Sequence, residues 1–344
     1  MSGRKKQKKR LWLIPVCAAA IAVLTAGGLA LSALRSEQGA RGPGEKASAA
    51  APSKDTVVWE GKEYQYNDHL SNYLILGIDT REKAETSVGQ ADAGQADALY
   101  LLSWDRAEKR ISVVTIPRDT MTEIETFGPG GESLGSSVDH ISLSFAFGDG
   151  GHESCRLTEE AVSNLLYGLP IQGYCAVNLD GIPVLTESVG EIAVTVPNDS
   201  MEAAYPEFAE GEQVKLDKDN TELFVRYRDM DTPQSALART ERQKEYIRAF
   251  GEAVQERFAG DAAFAAELYT ALEPYMVTSM GNDEFIKLME SSASGSMAEN
   301  WTIPGEGVQG KSYDEYYVDD DALYAKILET FYKVTENGER GERP

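Results

Sequence analysis

The sequence predicts an α/β fold, a mixed central β-sheet sandwiched between helices, with an N-terminal transmembrane helix and a mainly helical C-terminal extension. Three observations carry this reading. Short apolar runs rich in β-branched and aromatic residues recur between residues 72 and 228, each bounded by Gly, Pro or polar punctuation. Amphipathic helical patterns alternate with them, as they do where helices cover a sheet. Residues 11–34, LWLIPVCAAAIAVLTAGGLALSAL, carry no charge at all, and about 20 apolar residues suffice to cross a bilayer as a helix.

The chain begins with MSGRKKQKKR, six Lys/Arg and no acid. Under the positive-inside bias this tail, residues 1–10, stays in the cytoplasm and everything beyond the span lies outside. The span exceeds the usual signal-peptide core of about 7–15 residues, so a single-pass anchor in the cell membrane is expected over a cleaved leader. Residues 35–56, rich in Gly, Ala, Ser and Pro, read as a flexible linker. The folded part is expected from Val57, with a core to residue 259 and an extension packed on it over 260–344.

Charge excludes one class of partner. The chain holds 33 Lys/Arg against 56 Asp/Glu, a formal net charge of -23. With the basic tail set aside, the remainder is more acidic still, so it repels nucleic acid. Three histidines (His69, His140, His152) are scattered, and no Ser-His-Asp or zinc pattern can be built from them. Outside the span, Cys155 and Cys175 are compatible with either a disulfide or two buried thiols, and spacing does not decide between them.

Strands are expected at 72–79, 96–105, 110–119, 174–179, 191–197 and 223–228 (LFVRYR). Helices are expected at 157–168, ending at Gly168, at 180–190, and at 240–260 with a Thr240/Gln243 capping box. Beyond residue 260 three more helical patterns flank an extended aromatic stretch, WTIPGEGVQGKSYDEYYVDD.

Charged clusters fall at the ends of these strands, where open α/β sheets commonly bind ligands. GIDTRE places Asp79 and Arg81 after the first strand, although Asp-Thr is also ordinary turn chemistry. Asp97 opens the second strand, and TIPRDT follows the third, with Pro117 fixing the chain before Arg118 and Asp119. In LFVRYR, Arg226 and Arg228 are two apart, so a strand would place both on one face. Arg239 and Arg242 follow at a helix start, where the helix dipole favours an anion. Guanidinium forks bind phosphate oxygens in pairs, and carboxylates suit a hard divalent cation. Together they suit phosphoryl transfer, where positioning and charge neutralisation dominate. No P-loop, kinase or zinc signature is present.

The ordered series NYLILGIDTRE, ADALYLLSWDRAEKRISVVTIPRDT, HISLSFAFGDGG, LTEEAVSNLLYGLPIQGYCAVNLDGIPVLTESVG and LFVRYRDMDTPQSALARTERQ resembles the LytR-CpsA-Psr family over roughly residues 70–250. The resemblance implies a phosphotransferase that moves a glycopolymer, such as teichoic acid or capsular polysaccharide, from a polyprenyl-pyrophosphate carrier to peptidoglycan outside the cell membrane. It implies a mixed sheet between helices with a hydrophobic pocket for the lipid tail, and a need for Mg²⁺ (or Mn²⁺). By motif match Asp79 and Asp97 fall on the metal-binding carboxylates. Arg81, Arg118, Arg226, Arg228, Arg239 and Arg242 fall on the pyrophosphate-binding arginines, with Gln243 beside them. Asp79, Asp97, Arg118, Arg226 and Arg228 are the expected catalytic set. One departure stands out: family members often carry arginine two residues before the Asp97 position, and here that residue is Gln95. A non-catalytic envelope regulator or polymer-binding module, and a lipid pyrophosphatase using water, are the competing readings.

Overall fold

A computed structural model describes residues 56–82, 86–128, 130–227, 235–261, 263–294, 296–310 and 313–335. The expected anchor and nearly all of the linker lie outside the described residues. Among the described residues no helix is long and apolar enough to cross a membrane.

Strand β1 (Val57–Trp59) turns through Glu60 and Gly61, both at positive φ, into β2 (Lys62–Tyr66). Next come β3 (Leu70–Ile78), β4 (Ala96–Asp105) and β5 (Arg110–Ile116), the three long strands expected from the sequence. Every residue of β3 is buried, as a central strand covered on both faces requires. A hairpin follows, β6 (Met121–Phe127) and β7 (Ser133–His140), then α1 (Leu143–Ala146), α2 (His152–Leu165) and β8 (Gly173–Asn178). Beyond the end of α2 lies Gly168 at φ +77°. Its N–H bonds back to Ser163 O at 2.7 Å, as a glycine stop should. Helix α3 (Gly181–Val189) likewise meets Gly190, and a small pair, β9 (Ile192–Thr195) with β10 (Gln213–Leu216), leads to α4 (Thr221–Arg226) and α5 (Ser235–Gly260). The C-terminal part contains α6 (Phe264–Leu272), β11 (Met276–Thr278), α7 (Asn282–Ser294), β12 (Ser296–Thr302), the hairpin β13 (Gly305–Gln309) and β14 (Asp314–Val318), α8 (Asp320–Phe331) and β15 (Tyr332–Val334).

The central sheet runs β11-β8-β3-β4-β5-β12. It is mixed: β3 pairs antiparallel with β4 and parallel with β8, while β5 pairs antiparallel with β4 and parallel with β12. Alternation along the strands divides the core in two. Tyr73, Ile75, Cys175 and Val177 face one cluster with Phe224, Tyr246 and Phe250 of α4 and α5. Leu74, Leu76, Ala176 and Val114 face the other, with Val162 of α2 and Ile327 of α8. The expected sandwich is therefore present.

Three local expectations change. LFVRYR is not a strand: residues 221–226 form the short helix α4. Thr221 Oγ1 donates to Asp217 O at 2.5 Å and Phe224 N to Asn220 O at 3.0 Å, and one helical turn buries Phe224 and Val225 side by side in the core. The β-like composition lost to tertiary packing, so Arg226 and Arg228 do not share a strand face, and Arg228 lies outside the described residues. Helix α5 begins at Ser235, five residues before the expected cap at Thr240, so Thr240/Gln243 is not a capping box. The region read as an extension packed on the core supplies both edge strands of the central sheet, β11 and β12. Finally, Cys155 and Cys175 are both buried free thiols, in core clusters on opposite sides of the sheet.

Candidate functional site

The site grows from the carboxyl end of β3. Asp79 follows directly, and its backbone N–H donates to Gln95 O at 3.1 Å. In return Gln95 N–H donates to Asp79 Oδ1 at 2.7 Å. This reciprocal clasp needs a glycine next door. Gly94 sits at φ +85°, and a Cβ there would clash with Thr80 Cγ2 and come within 3.0 Å of Asp79 Oδ1. Pairing between β3 and β4 then shifts, with Gly77 opposite Ala98 but Ile78 opposite Ala96. Asp97 is the extra residue of that bulge, a device that re-aims a side chain.

Arg118 meets this clasp from the turn after β5. Thr120 N–H closes the turn on Pro117 O at 3.0 Å, and Arg118 O accepts from Ser142 N at 3.2 Å. The guanidinium is held on three sides. Nη1 donates to Asp97 Oδ1, Nη2 donates to Gln95 Oε1 at 2.9 Å, and Nε donates to Asp119 Oδ1 at 3.2 Å. Burial pushes the Asp97 carboxyl above its ordinary value, and nearby Asp79 pushes the same way, outweighing the pull of Arg118 and Arg239. Burial likewise raises Asp119 despite Arg118; its Oδ2 is buried with no hydrogen-bond partner among the described residues.

A second charged group starts at Arg81, two residues after Asp79. Arg81 donates to Asp180 Oδ1 at 3.1 Å and to Glu222 Oε1 at 2.6 Å, and Arg226 donates to the same Glu222 oxygen at 2.7 Å. Burial pushes Glu222 upward, but the hydrogen bonds from Arg81 and Arg226 win and hold it below its ordinary range. Arg81 and Arg226 are thus joined through one carboxylate, with their side chains 58% and 43% exposed.

Arg242 and Gln243 are placed differently. Arg242 is fully buried. Its Nε donates to Phe224 O at 2.9 Å, Nη1 to Ser200 Oγ and Nη2 to Tyr227 O. Gln243 Nε2 donates to Val225 O at 3.0 Å. These are the carbonyls that the end of α4 leaves without helical partners. Burial, with Arg239 nearby on α5, holds the Arg242 pKa down to about 10. The structure therefore brings Asp79, Asp97 and Arg118 together, links Arg81 to Arg226, sets Arg239 within the field of Asp97, and turns Arg242 and Gln243 into braces for α4.

Sequence reasoning passed over Asp180 and Glu222 and met Gln95 only as a departure, yet these three carry the connections between the charged residues. It also passed over Asn178, at the end of β8 beside Ile78, whose Oδ1 is buried with no partner among the described residues. Gln95 had a signal, since it stands where arginine was expected. One acid among 56 gives none.

The donor set can be tested against Mg²⁺. Among the described residues no group of three His, Cys, Asp or Glu could hold a metal ion. Asp79 and Asp97 each spend Oδ1 on the protein, which leaves Oδ2 outside these bonds. Two carboxylates are nevertheless what Mg²⁺ commonly takes from a protein when substrate phosphates complete its shell, so the residues fit that cofactor.

A mixed sheet between helices, with arginines and carboxylates gathered at its strand ends, defines an α/β protein with a charged cluster at the rim of its sheet. The chain belongs to the LytR_cpsA_psr family, whose model matches residues 36–331. It is 31% identical over 176 residues to the polyisoprenyl-teichoic acid–peptidoglycan teichoic acid transferase TagU of Halalkalibacterium halodurans, spanning 51% of this chain and half the length, 50%, of that one. It is 28% identical over 258 residues to the protein of the same name from Bacillus mycoides, covering 74% of this chain and 75% of that one. The solved structure of TagV from B. subtilis shares the fold, with a TM-score of 0.56 at 22% identity, over 77% of this chain and 96% of that chain. The expected family and its mixed-sheet fold are established, and the expected glycopolymer transferase agrees with the names of both relatives.

Proposed function

We propose that this protein is a phosphotransferase that moves a glycopolymer from a polyprenyl-pyrophosphate carrier to peptidoglycan outside the cell membrane, where residues 11–34 anchor it. The observation that carries this reading is the Arg118 guanidinium held among Asp97, Gln95 and Asp119, beside Asp79, at the ends of β3, β4 and β5. Asp79 and Asp97 hold Mg²⁺ (or Mn²⁺), which supplies neutralisation of pyrophosphate charge when bound. Arg118 stabilises charge that grows on the transferred phosphate. Arg81, Arg226, Arg228 and Arg239 bind the pyrophosphate, and Arg242 with Gln243 holds the carbonyls at the end of α4.

A sugar hydroxyl of the acceptor forms the new bond to phosphorus. The bond from that phosphorus to the bridging oxygen breaks, and the lipid leaves as its monophosphate. The hydroxyl proton passes to a carboxylate. Asp79 and Asp97 are the carboxylates placed to take it.

The test uses full-length protein in detergent with Mg²⁺, a polyprenyl-pyrophosphate-linked glycan and peptidoglycan fragments, followed by mass spectrometry. Release of polyprenyl monophosphate together with a glycan–peptidoglycan phosphodiester supports the transferase. Release without an acceptor supports a pyrophosphatase, and binding without release under any condition supports a polymer-binding module.

A further inference from the structure

We infer that Gln95 is a positioning residue of this site, setting Asp79 and Arg118 in register from one point of the chain while adding no charge. The inference rests on the proposed phosphotransferase reading. Its main chain exchanges two hydrogen bonds with Asp79, at 3.1 and 2.7 Å. Its side-chain Oε1 accepts from Arg118 Nη2 at 2.9 Å. Asp79 and Arg118 come from the ends of different strands, and these bonds link them through a single residue.

The chemistry of the acceptor matters as much as its place. Arg118 offers five N–H donors in a rigid fork and can only donate. Asp97 and Asp119 already set two carboxylates against its one positive charge. With Asp79 also beside Gln95, a further carboxylate would add negative charge where the pyrophosphate is proposed to bind, and an arginine there would offer Arg118 no acceptor. An amide is the side chain that fixes the fork and stays neutral. Because Arg118 demands the amide oxygen, the Nε2 side of Gln95 is turned away from the guanidinium.

Three variants of the full-length protein test this: Gln95→Met, Gln95→Glu and Gln95→Ala. Each is assayed for donor turnover, for titration by inorganic pyrophosphate and for thermal unfolding. Gln95→Met keeps the length of the side chain and removes the acceptor. Its kcat is expected to fall about tenfold or more, with KM changed less than about threefold, because the main-chain clasp on Asp79 survives. Gln95→Glu restores the acceptor, so part of the lost kcat returns. It adds a charge, so KM and the Kd for pyrophosphate rise about tenfold. Gln95→Ala carries the same expectation as Gln95→Met should the longer side chain perturb folding.

A fall in kcat on removal of the acceptor, its partial rescue in Gln95→Glu, and unchanged unfolding temperatures support the inference. Wild-type kcat in both Gln95→Met and Gln95→Ala overturns it. If the wild type turns over no donor, the phosphotransferase reading fails by itself, and the pyrophosphate titration still decides. Weaker binding in Gln95→Glu than in Gln95→Met supports the placement, and equal binding in all proteins overturns it.

Discussion

Arg118 and Arg242 belong to one set of arginines by sequence, and the fold gives them opposite work. Arg118 stands at the tip of the sheet, 28% exposed in its side chain, with two carboxylates and an amide around it. Arg242 is buried, and two of its three hydrogen-bond partners among the described residues are backbone carbonyls. The first has side-chain partners in an ion-pair group that solvent reaches. The second has partners that only unfolding would release. The lesson is that the acceptors around an arginine, rather than the motif it sits in, separate a binding residue from a brace.

The largest effect that can break this comparison is on stability. Arg242→Met is expected to cost roughly 3–5 kcal/mol, since the α4 carbonyls lose their buried donors at about 1–3 kcal/mol each. That is a large share of ordinary domain stability, about 5–15 kcal/mol. Arg242→Lys is expected to recover little, because an ammonium cannot reproduce the planar fork. Urea unfolding measures both. A loss below about 1 kcal/mol would return Arg242 to the list of substrate-binding candidates.

Next in size is Arg118→Ala. It is expected to lower kcat by about 10²–10³, the range for removing a donor aimed at developing charge, with a smaller change in unfolding midpoint than Arg242→Met. Donor turnover and urea unfolding on one preparation check both halves. An Arg118→Ala protein that keeps its kcat and loses its fold would make Arg118 the brace and erase the comparison.

Much of this fold was legible. β3, β4 and β5 announced themselves by continuous apolar runs between polar punctuation, and α2 and α3 by their glycine stops. Residues 223–228 misled because their β-branched and aromatic content fits a strand as well as a single buried helical turn. β12, SMAENWT, carries little β signal, since its pairing with β5 is decided by tertiary contact. The candidate site was legible as a set of residue types. Its division of labour was not, because the partners of Arg242 and Gln243 are backbone carbonyls, which look alike in every sequence. Gln95 was visible only as a departure; its role needed the distances to Asp79 and Arg118.

A smaller effect sharpens the picture of the Arg118 corner. Burial raises the folded-state pKa of Asp97 above its ordinary value of 3.8. A raised pKa means that the folded state binds the proton more tightly, so stability is fullest below the ordinary value and declines as pH rises through the folded one. Asp97→Asn, a mimic of the neutral form, is therefore expected to be more stable than wild type at neutral pH. The difference should vanish below about pH 3.8. Unfolding curves at several pH values, paired with turnover, would show a more stable and less active variant. A variant destabilised at neutral pH would mean that the Arg118 ion pair outweighs burial.

The smallest effect concerns Glu222, which binds Arg81 and Arg226 together. Here the sign reverses. Burial pushes its pKa up, but the two arginines hold it below the ordinary 4.5. Its contribution is present above that value and is lost as pH falls through the folded one. The arginines are largely exposed, so solvent screens the pairs, and Glu222→Gln is expected to cost only about 0.5–1 kcal/mol at neutral pH. High salt should shrink the cost. The same variant frees positive charge beside the proposed pyrophosphate site, so inorganic pyrophosphate should bind a fewfold more tightly. Titration at low salt reads this directly. Tighter binding makes Glu222 a stand-in for the anion that these arginines await, whereas weaker binding makes it the strut that holds them in position.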